Sequence, residues 1–120
     1  RIQLGLRKRI RAGRKALLFV YEIENLEDKA LDLTFTSEWN LAFFEQEFRL
    51  EGRRVEFYRG QLLLEAPEAE AIWVFPLKTV SQSERDFEVI TQGHSFHFVW
   101  RLSLAGREKK LTFLTLRERD

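Results

Sequence analysis

His94 and His97 stand three positions apart, a spacing that can chelate a metal when both rings leave one face of a helix. On a strand, an odd offset sends them to opposite faces. The residues around them alternate apolar and polar, so the strand geometry is expected, with His97 on the more polar side. No third ligand stands at a metal-binding spacing, and neither a metal centre nor a cofactor is expected. Carboxylates recur in pairs two apart, Glu22/Glu24, Glu45/Glu47 and Glu68/Glu70. Glycoside hydrolysis uses two carboxyls about 5–10 Å apart across a cleft, and same-face strand neighbours fall near that range. A sheet surface drawn from 15 Glu produces such pairs without a cleft, so none is assigned a catalytic role. Ser81, Ser83 and Glu84 with His94 hold the letters of a hydrolase triad, but no G-x-S-x-G elbow accompanies them. Glycine-rich phosphate loops and dinucleotide fingerprints are likewise missing from the sequence.

Aromatic side chains offer different chemistry, because indole and phenol faces stack on the apolar faces of sugar rings. Trp39, Tyr58, Trp73 and Trp100 are the candidates. Trp100 continues an apolar stripe and is expected in the core, and Trp73, within the apolar run 71–75, could also be core. Trp39 and Tyr58 sit among polar neighbours and are the better candidates for a platform. Arg7, Lys8, Arg9, Arg11, Arg14 and Lys15 form a basic start that could bind phosphate. With 20 Lys+Arg against 19 Asp+Glu, however, the net charge is +1 and no nucleic-acid partner is expected. Ile2, Leu4 and Leu6 alternate just upstream, as in an exposed edge strand or linker over residues 1–13.

Positioning these groups falls to strands, since the dominant hydrophobic period is two. Leu17, Phe19, Tyr21 and Ile23 share one face, and Leu31, Leu33 and Phe35 alternate with Asp32, Thr34 and Thr36. Phe96, Phe98, Trp100, Leu102 and Leu104 make the cleanest stripe, and residues 111–116 supply a returning strand after a turn at 105–109. Shorter strands are expected at 47–50, 54–58, 61–65, 71–75 and 87–91, with a polar turn at 25–29. Residues 37–48 suit either helical turns or a strand, and Pro67 with 68–71 could form one helical turn. Many short strands and no linker or repeat predict one all-β domain over 1–120, an antiparallel sandwich or barrel. Hydrophobic residues at 44 %, 11 of them Phe, are ample for its core. No stretch approaches the roughly 20 apolar residues of a membrane span, and no signal peptide is visible. The zero cysteine count excludes a disulfide scaffold. The absence of Met, even at position 1, suggests a piece of a longer chain, and a 32 % charged composition with only two Asn resembles the thermophilic bias.

Two segments are more specific than their pattern. SEWNL, residues 37–41, follows the strand pair YEIENLEDKALDLTF, and residues 73–93 read WVFPLKTVSQSERDFEVITQG. Together they resemble the C-terminal β-sandwich domain of the α-amylase and 4-α-glucanotransferase group in glycoside hydrolase family 57. Trp73, Phe75, Pro76, Thr79, Val80, Ser81, Gln82, Ser83, Glu84, Phe87, Gln92 and Gly93 match its W-x-F-P-x-x-T-V-S-Q-S-E block and the Q-G that follows. The resemblance covers roughly residues 16–115. It implies a galactose-mutarotase-like (supersandwich) fold, trimmed between 45 and 71, packed against a barrel that carries the catalytic Glu and Asp upstream. None of those catalytic residues maps onto a position here. In this frame Pro76 is expected to stop the strand at 71–75, and residues 79–84 to form a polar loop suited to a neighbouring domain or a hydroxyl-rich ligand.

The expected function is therefore a non-catalytic accessory domain of an α-glucan-processing enzyme. Its partner would be the catalytic domain of the same polypeptide, with maltodextrin touched through Trp39, Tyr58, Trp73 or Ser81, Gln82, Ser83 and Glu84. A free-standing carbohydrate-binding module and a structural or assembly domain pairing through a sheet edge are the alternatives. Cytoplasm is the default compartment.

Overall fold

The computed structural model describes residues 1–42, 47–82 and 87–120, with side chains outside 79–92. Every element among them is a strand: β1 (Leu4–Ala12), β2 (Ala16–Asn25), β3 (Leu31–Leu41), β4 (Phe48–Glu51), β5 (Arg54–Phe57), β6 (Leu62–Glu65), β7 (Ala71–Gln82), β8 (Phe87–Leu104) and β9 (Lys109–Glu118). They make a six-stranded sheet ordered β1-β2-β9-β6-β5-β4 and a three-stranded sheet ordered β3-β8-β7, antiparallel throughout. The two sheets face one another as a β-sandwich, as the alternation predicts. No helix among the described residues is long and apolar enough to cross a membrane.

The core lies between the sheets. Phe19, Tyr21 and Ile23 of β2 and Leu114 of β9 meet Phe96, Phe98, Trp100 and Leu104 of β8. Each fully buried large side chain contributes roughly 1.5–3 kcal/mol. Cross-layer rings fix the sheets' relative position: Phe19 meets Trp39 edge-on at 4.9 Å, and Tyr21 meets Phe35 at 5.1 Å. A radius of gyration of 17.7 Å exceeds the about 14 Å of a compact domain this long. The molecule measures 60 × 40 × 23 Å, and the 18-residue β8 at about 3.4 Å per residue accounts for the long axis.

Several expectations are corrected. Pro76 does not end a strand: β7 runs through it to Gln82. β7 is an edge strand of its sheet, so the N–H that proline lacks has no ladder to serve on the open side. Thr79, Val80, Ser81 and Gln82 are accordingly strand rather than loop, paired with Ile90, Val89, Glu88 and Phe87. Of the two readings left open for residues 37–48, helical turns or a strand, residues 37–41 take the strand and continue β3, while 43–46 lie outside the described residues. Residues 66–69 make a tight turn closed by Ala69 N–H to Ala66 O at 3.0 Å, not a helical one.

A polar link crosses the core. The Tyr21 hydroxyl lies 2.7 Å from Ser37 Oγ, which also accepts the Trp39 indole N–H at 3.0 Å. Burial pushes the Tyr21 phenol above its ordinary value of 10.0, and the bond to Ser37 opposes this. The neutral phenol is thus favoured in the folded state. Its contribution is complete below the unfolded value near pH 10 and is lost as pH rises through the higher folded one. Tyr21→Phe is expected to cost about 1 kcal/mol at pH 7 and to lose less stability than the parent between pH 9 and pH 11 (both about), measured by urea unfolding across that range.

Candidate functional site

Strand alternation decides which aromatic residues face outward. β7 pairs with β8 so that Ile72 and Val74 oppose Phe98 and Phe96 on the core side. Trp73 and Phe75 therefore project from the outer face of the three-stranded sheet, 46 % and 51 % exposed. Register continues the row across the sheet: Trp73 opposes His97, which opposes Glu38, while Phe75 opposes Ser95, which opposes Asn40. Successive strands stand about 4.8 Å apart, so these six residues form a patch two residues deep and three strands wide.

The polar half of the patch is held together internally. Ser95 donates its hydroxyl to Glu38 Oε1 at 3.3 Å, and its Oγ lies 2.9 Å from His97 Nε2. The Phe75 ring meets the His97 ring edge-on, with centroids 5.2 Å apart. A serine, a histidine and a glutamate in contact invite comparison with a hydrolytic triad, but the connectivity differs. A triad carboxylate holds the imidazole nitrogen remote from the serine, whereas here the carboxylate and the serine both meet Nε2, with Glu38 Oε1 at 3.9 Å. Ser95 is also 3 % exposed, out of reach of a substrate. The trio orients the His97 ring and leaves the Glu38 carboxylate open on the face that carries Trp73 and Phe75 two strands away. This is chemistry for binding a surface with apolar faces and hydroxyl donors, not for acyl transfer.

The other candidates fall elsewhere. Trp39 belongs to the inner face of β3, its ring against Phe19 and its N–H bonded to Ser37. Tyr58 occupies the β5–β6 turn at φ +50°, followed by Arg59 at +56° and Gly60 at +84°. This turn borders an open cleft of about 690 Å³ lined by Glu51, Arg54, Glu56, Arg59 and Arg119. There the buried Glu56 carboxylate accepts Arg119 and Arg54, and Arg54 also bonds Glu51 at 2.9 Å. Four of these charges, Glu51, Arg54, Glu56 and Arg119, are thus tied to one another in a single ion-pair network along the cleft wall. Ser81 and Gln82 lie at the far end of β7, some distance along the strand from Trp73, while Ser83 and Glu84 lie outside the described residues. Among the described residues Trp73 is thus the one candidate that joins the patch, with Phe75, Glu38, Asn40, Ser95 and His97 added by the structure.

His94 and His97 do take opposite faces, His94 packing against Phe48 with centroids 4.7 Å apart and His97 against Phe75. Among the described residues no group of three His, Asp or Glu gathers as for a metal ion.

Comparison with known proteins places these features in context. The family model described as "Alpha-amylase/4-alpha-glucanotransferase, C-terminal" matches residues 54–113. An alpha-amylase of Pyrococcus horikoshii is 31 % identical over 104 residues, covering 82 % of this chain and 16 % of its own length. A 4-alpha-glucanotransferase of Thermococcus litoralis is 31 % identical over 109 residues, covering 85 % of this chain and 16 % of its own. The crystal structure of 4-alpha-glucanotransferase from Thermococcus litoralis superposes with a TM-score of 0.75 at 26 % identity, over 98 % of this chain and 19 % of that one. The chain therefore spans about one sixth of the length of the relatives it matches.

Proposed function

Because the chain belongs to the alpha-amylase/4-alpha-glucanotransferase C-terminal family, we propose that it is a non-catalytic accessory domain of a larger α-glucan-processing enzyme. It packs against the catalytic domain of the same polypeptide and presents the Trp73 face to the α-glucan chain. The observation that carries the reading is the outer-face row itself. Two half-exposed aromatic rings on β7 share one face with a carboxylate and an amide on β3, two strands away, a row that offers an apolar stacking end and a hydroxyl-bonding end to a sugar chain. The reading is supported by relatives about six times longer, so that this segment is a small part of each. The cytoplasm is the compartment that goes with it. The charge-rich, cysteine-free composition accords with relatives from Pyrococcus and Thermococcus.

In the full-length enzyme, Trp73→Ala is expected to raise KM for long maltodextrins about tenfold, the equivalent of about 1.4 kcal/mol of lost contact. It should leave kcat nearly unchanged, since uniform binding alone is removed, and the melting temperature should move little. A large drop in melting temperature with KM preserved would instead assign Trp73 to packing between domains.

A further inference from the structure

Six strands in one sheet face only three in the other, and the mismatch falls at β1. The register of β1 on β2 sets Leu6 opposite Ile23 and Ile10 opposite Phe19, so both belong to the face that carries the core. Leu4, opposite the buried Asn25, shares that face. Yet Ile23 and Phe19 are 4 % and 8 % exposed, while Leu4, Leu6 and Ile10 are 46 %, 63 % and 59 % exposed. The roof over β2 is β3, through the Phe19–Trp39 and Tyr21–Phe35 ring pairs, with Trp100 of β8 also meeting Tyr21. β8 continues the roof away from β1. On the β1 side the roof stops at β3, one strand short.

β3 is the terminal strand of its sheet, and among the described residues nothing pairs with its other edge. It is 11 residues long, and its acidic side chains, Asp32 and Glu38, lie on the outer face. A long edge without inward charge is a template for a further strand. We propose that this edge receives a β-strand from the polypeptide preceding the domain in the larger enzyme, and that the strand roofs Leu4, Leu6 and Ile10. The proposal deepens the accessory-domain reading and rests on it.

Geometry favours that occupant. A strand added to β3 stands about 4.8 Å outside it, directly above β1, which stands one step outside β2. If antiparallel to β3, it ends beside Leu31, the end of the sandwich where Leu4 opposes Asn25 and β1 begins. A short connection then leads from it into β1, as sequential strands usually neighbour. The matching family model is a C-terminal one and the relatives are about six times longer, so the bulk of such a polypeptide precedes this segment. Only Lys8 interrupts the apolar row on this face of β1, and its ammonium is turned over the Phe19 ring at 5.7 Å.

Hydrogen exchange read by mass spectrometry on the full-length enzyme tests this, comparing peptides over β3 with peptides over β2, which is paired on both sides. All amides of β3 are expected to exchange as slowly as those of β2, about a hundredfold or more slower than an open edge. Leu6→Glu, on the roofed face, should speed exchange of β3 at least tenfold, and Arg9→Glu, on the opposite face, should not. If half of the β3 amides exchange within seconds while β2 stays protected, the proposal fails though the accessory reading survives. β3 protection that vanishes on dilution would assign the edge to a second copy and overturn it as well. An intact protein with no preceding domain would overturn both.

Discussion

Phe96→Ala is expected to cost about 3–5 kcal/mol, a large part of the total stability of a domain this size. Phe96 has no exposed surface and sits where both sheets and the short-strand meander converge. Its ring meets Phe48 at 5.0 Å and Phe57 at 5.4 Å, both close to perpendicular. By strand pairing among the described residues, β4 and β5 reach the rest of their sheet through β6, which pairs with four residues of β9. The Phe96 ring is thus a main tie between this meander and the opposite sheet. Truncating it removes the transfer energy of the ring, leaves a cavity, and forfeits two edge-on pairs worth about 0.5–1.5 kcal/mol each. Phe96→Leu should recover much of the burial but not the ring pairs, and lose about half as much. Phe75→Ala, half-exposed on the outer face of the same sheet, should lose less than about 1 kcal/mol. Urea midpoints of the three variants check the order. An equal loss for Phe75→Ala would mean that the outer face is structural.

Much of this was legible in the sequence, because burying one face of a strand imposes a period of two that survives any tertiary context. That period locates β2, β3, the inner half of β8 and β9, and it separates His94 from His97. It also held the answer for the tryptophans. Trp39 keeps phase with Leu31, Leu33 and Phe35 across Ser37, and Trp73 is out of phase with Ile72 and Val74. Judging Trp39 by its polar neighbours rather than its phase made it a better platform candidate than Trp73. What the chain could not reveal was which strands lie at an edge. Pro76 is incompatible with a central strand and acceptable in β7, and nothing local distinguishes the two. The polar trio was hidden for a related reason. Glu38 and Ser95 are 57 positions apart, and only the register of β3 on β8 brings them together.

The second large effect belongs to Asn25, whose side chain joins two turns remote in sequence. Its amide donates to Lys29 O at 2.8 Å and to Ala105 O at 3.0 Å, and its Oδ1 accepts Glu27 N–H at 2.9 Å. The first and last of these shape the β2–β3 turn, and the middle one fastens it to the β8–β9 turn. Backbone bonds Asn25 N–H to Glu108 O and Arg107 N–H to Glu27 O, each 2.9 Å, run alongside. Asn25 is fully buried but its partners belong to exposed or half-buried residues, so each lost bond costs about 0.5–1.5 kcal/mol, and the emptied volume adds to the loss. Asn25→Ala is expected to lose about 3 kcal/mol or more. Asn25→Asp keeps the volume and the bond from Glu27 but turns a carboxylate toward two carbonyls. Its acid is therefore held above the ordinary value near 3.9, so the variant's deficit at neutral pH should shrink as pH falls through that raised value. Gly106 provides the independent check. A Cβ there would stand 2.1 Å from Asp28 O, closer than any real contact, so Gly106→Ala must push the two turns apart. The two substitutions break one junction, and the double variant should lose clearly less than the sum of the singles. Additive losses in urea unfolding would instead make the two turns independent, each held by its own strands rather than by Asn25.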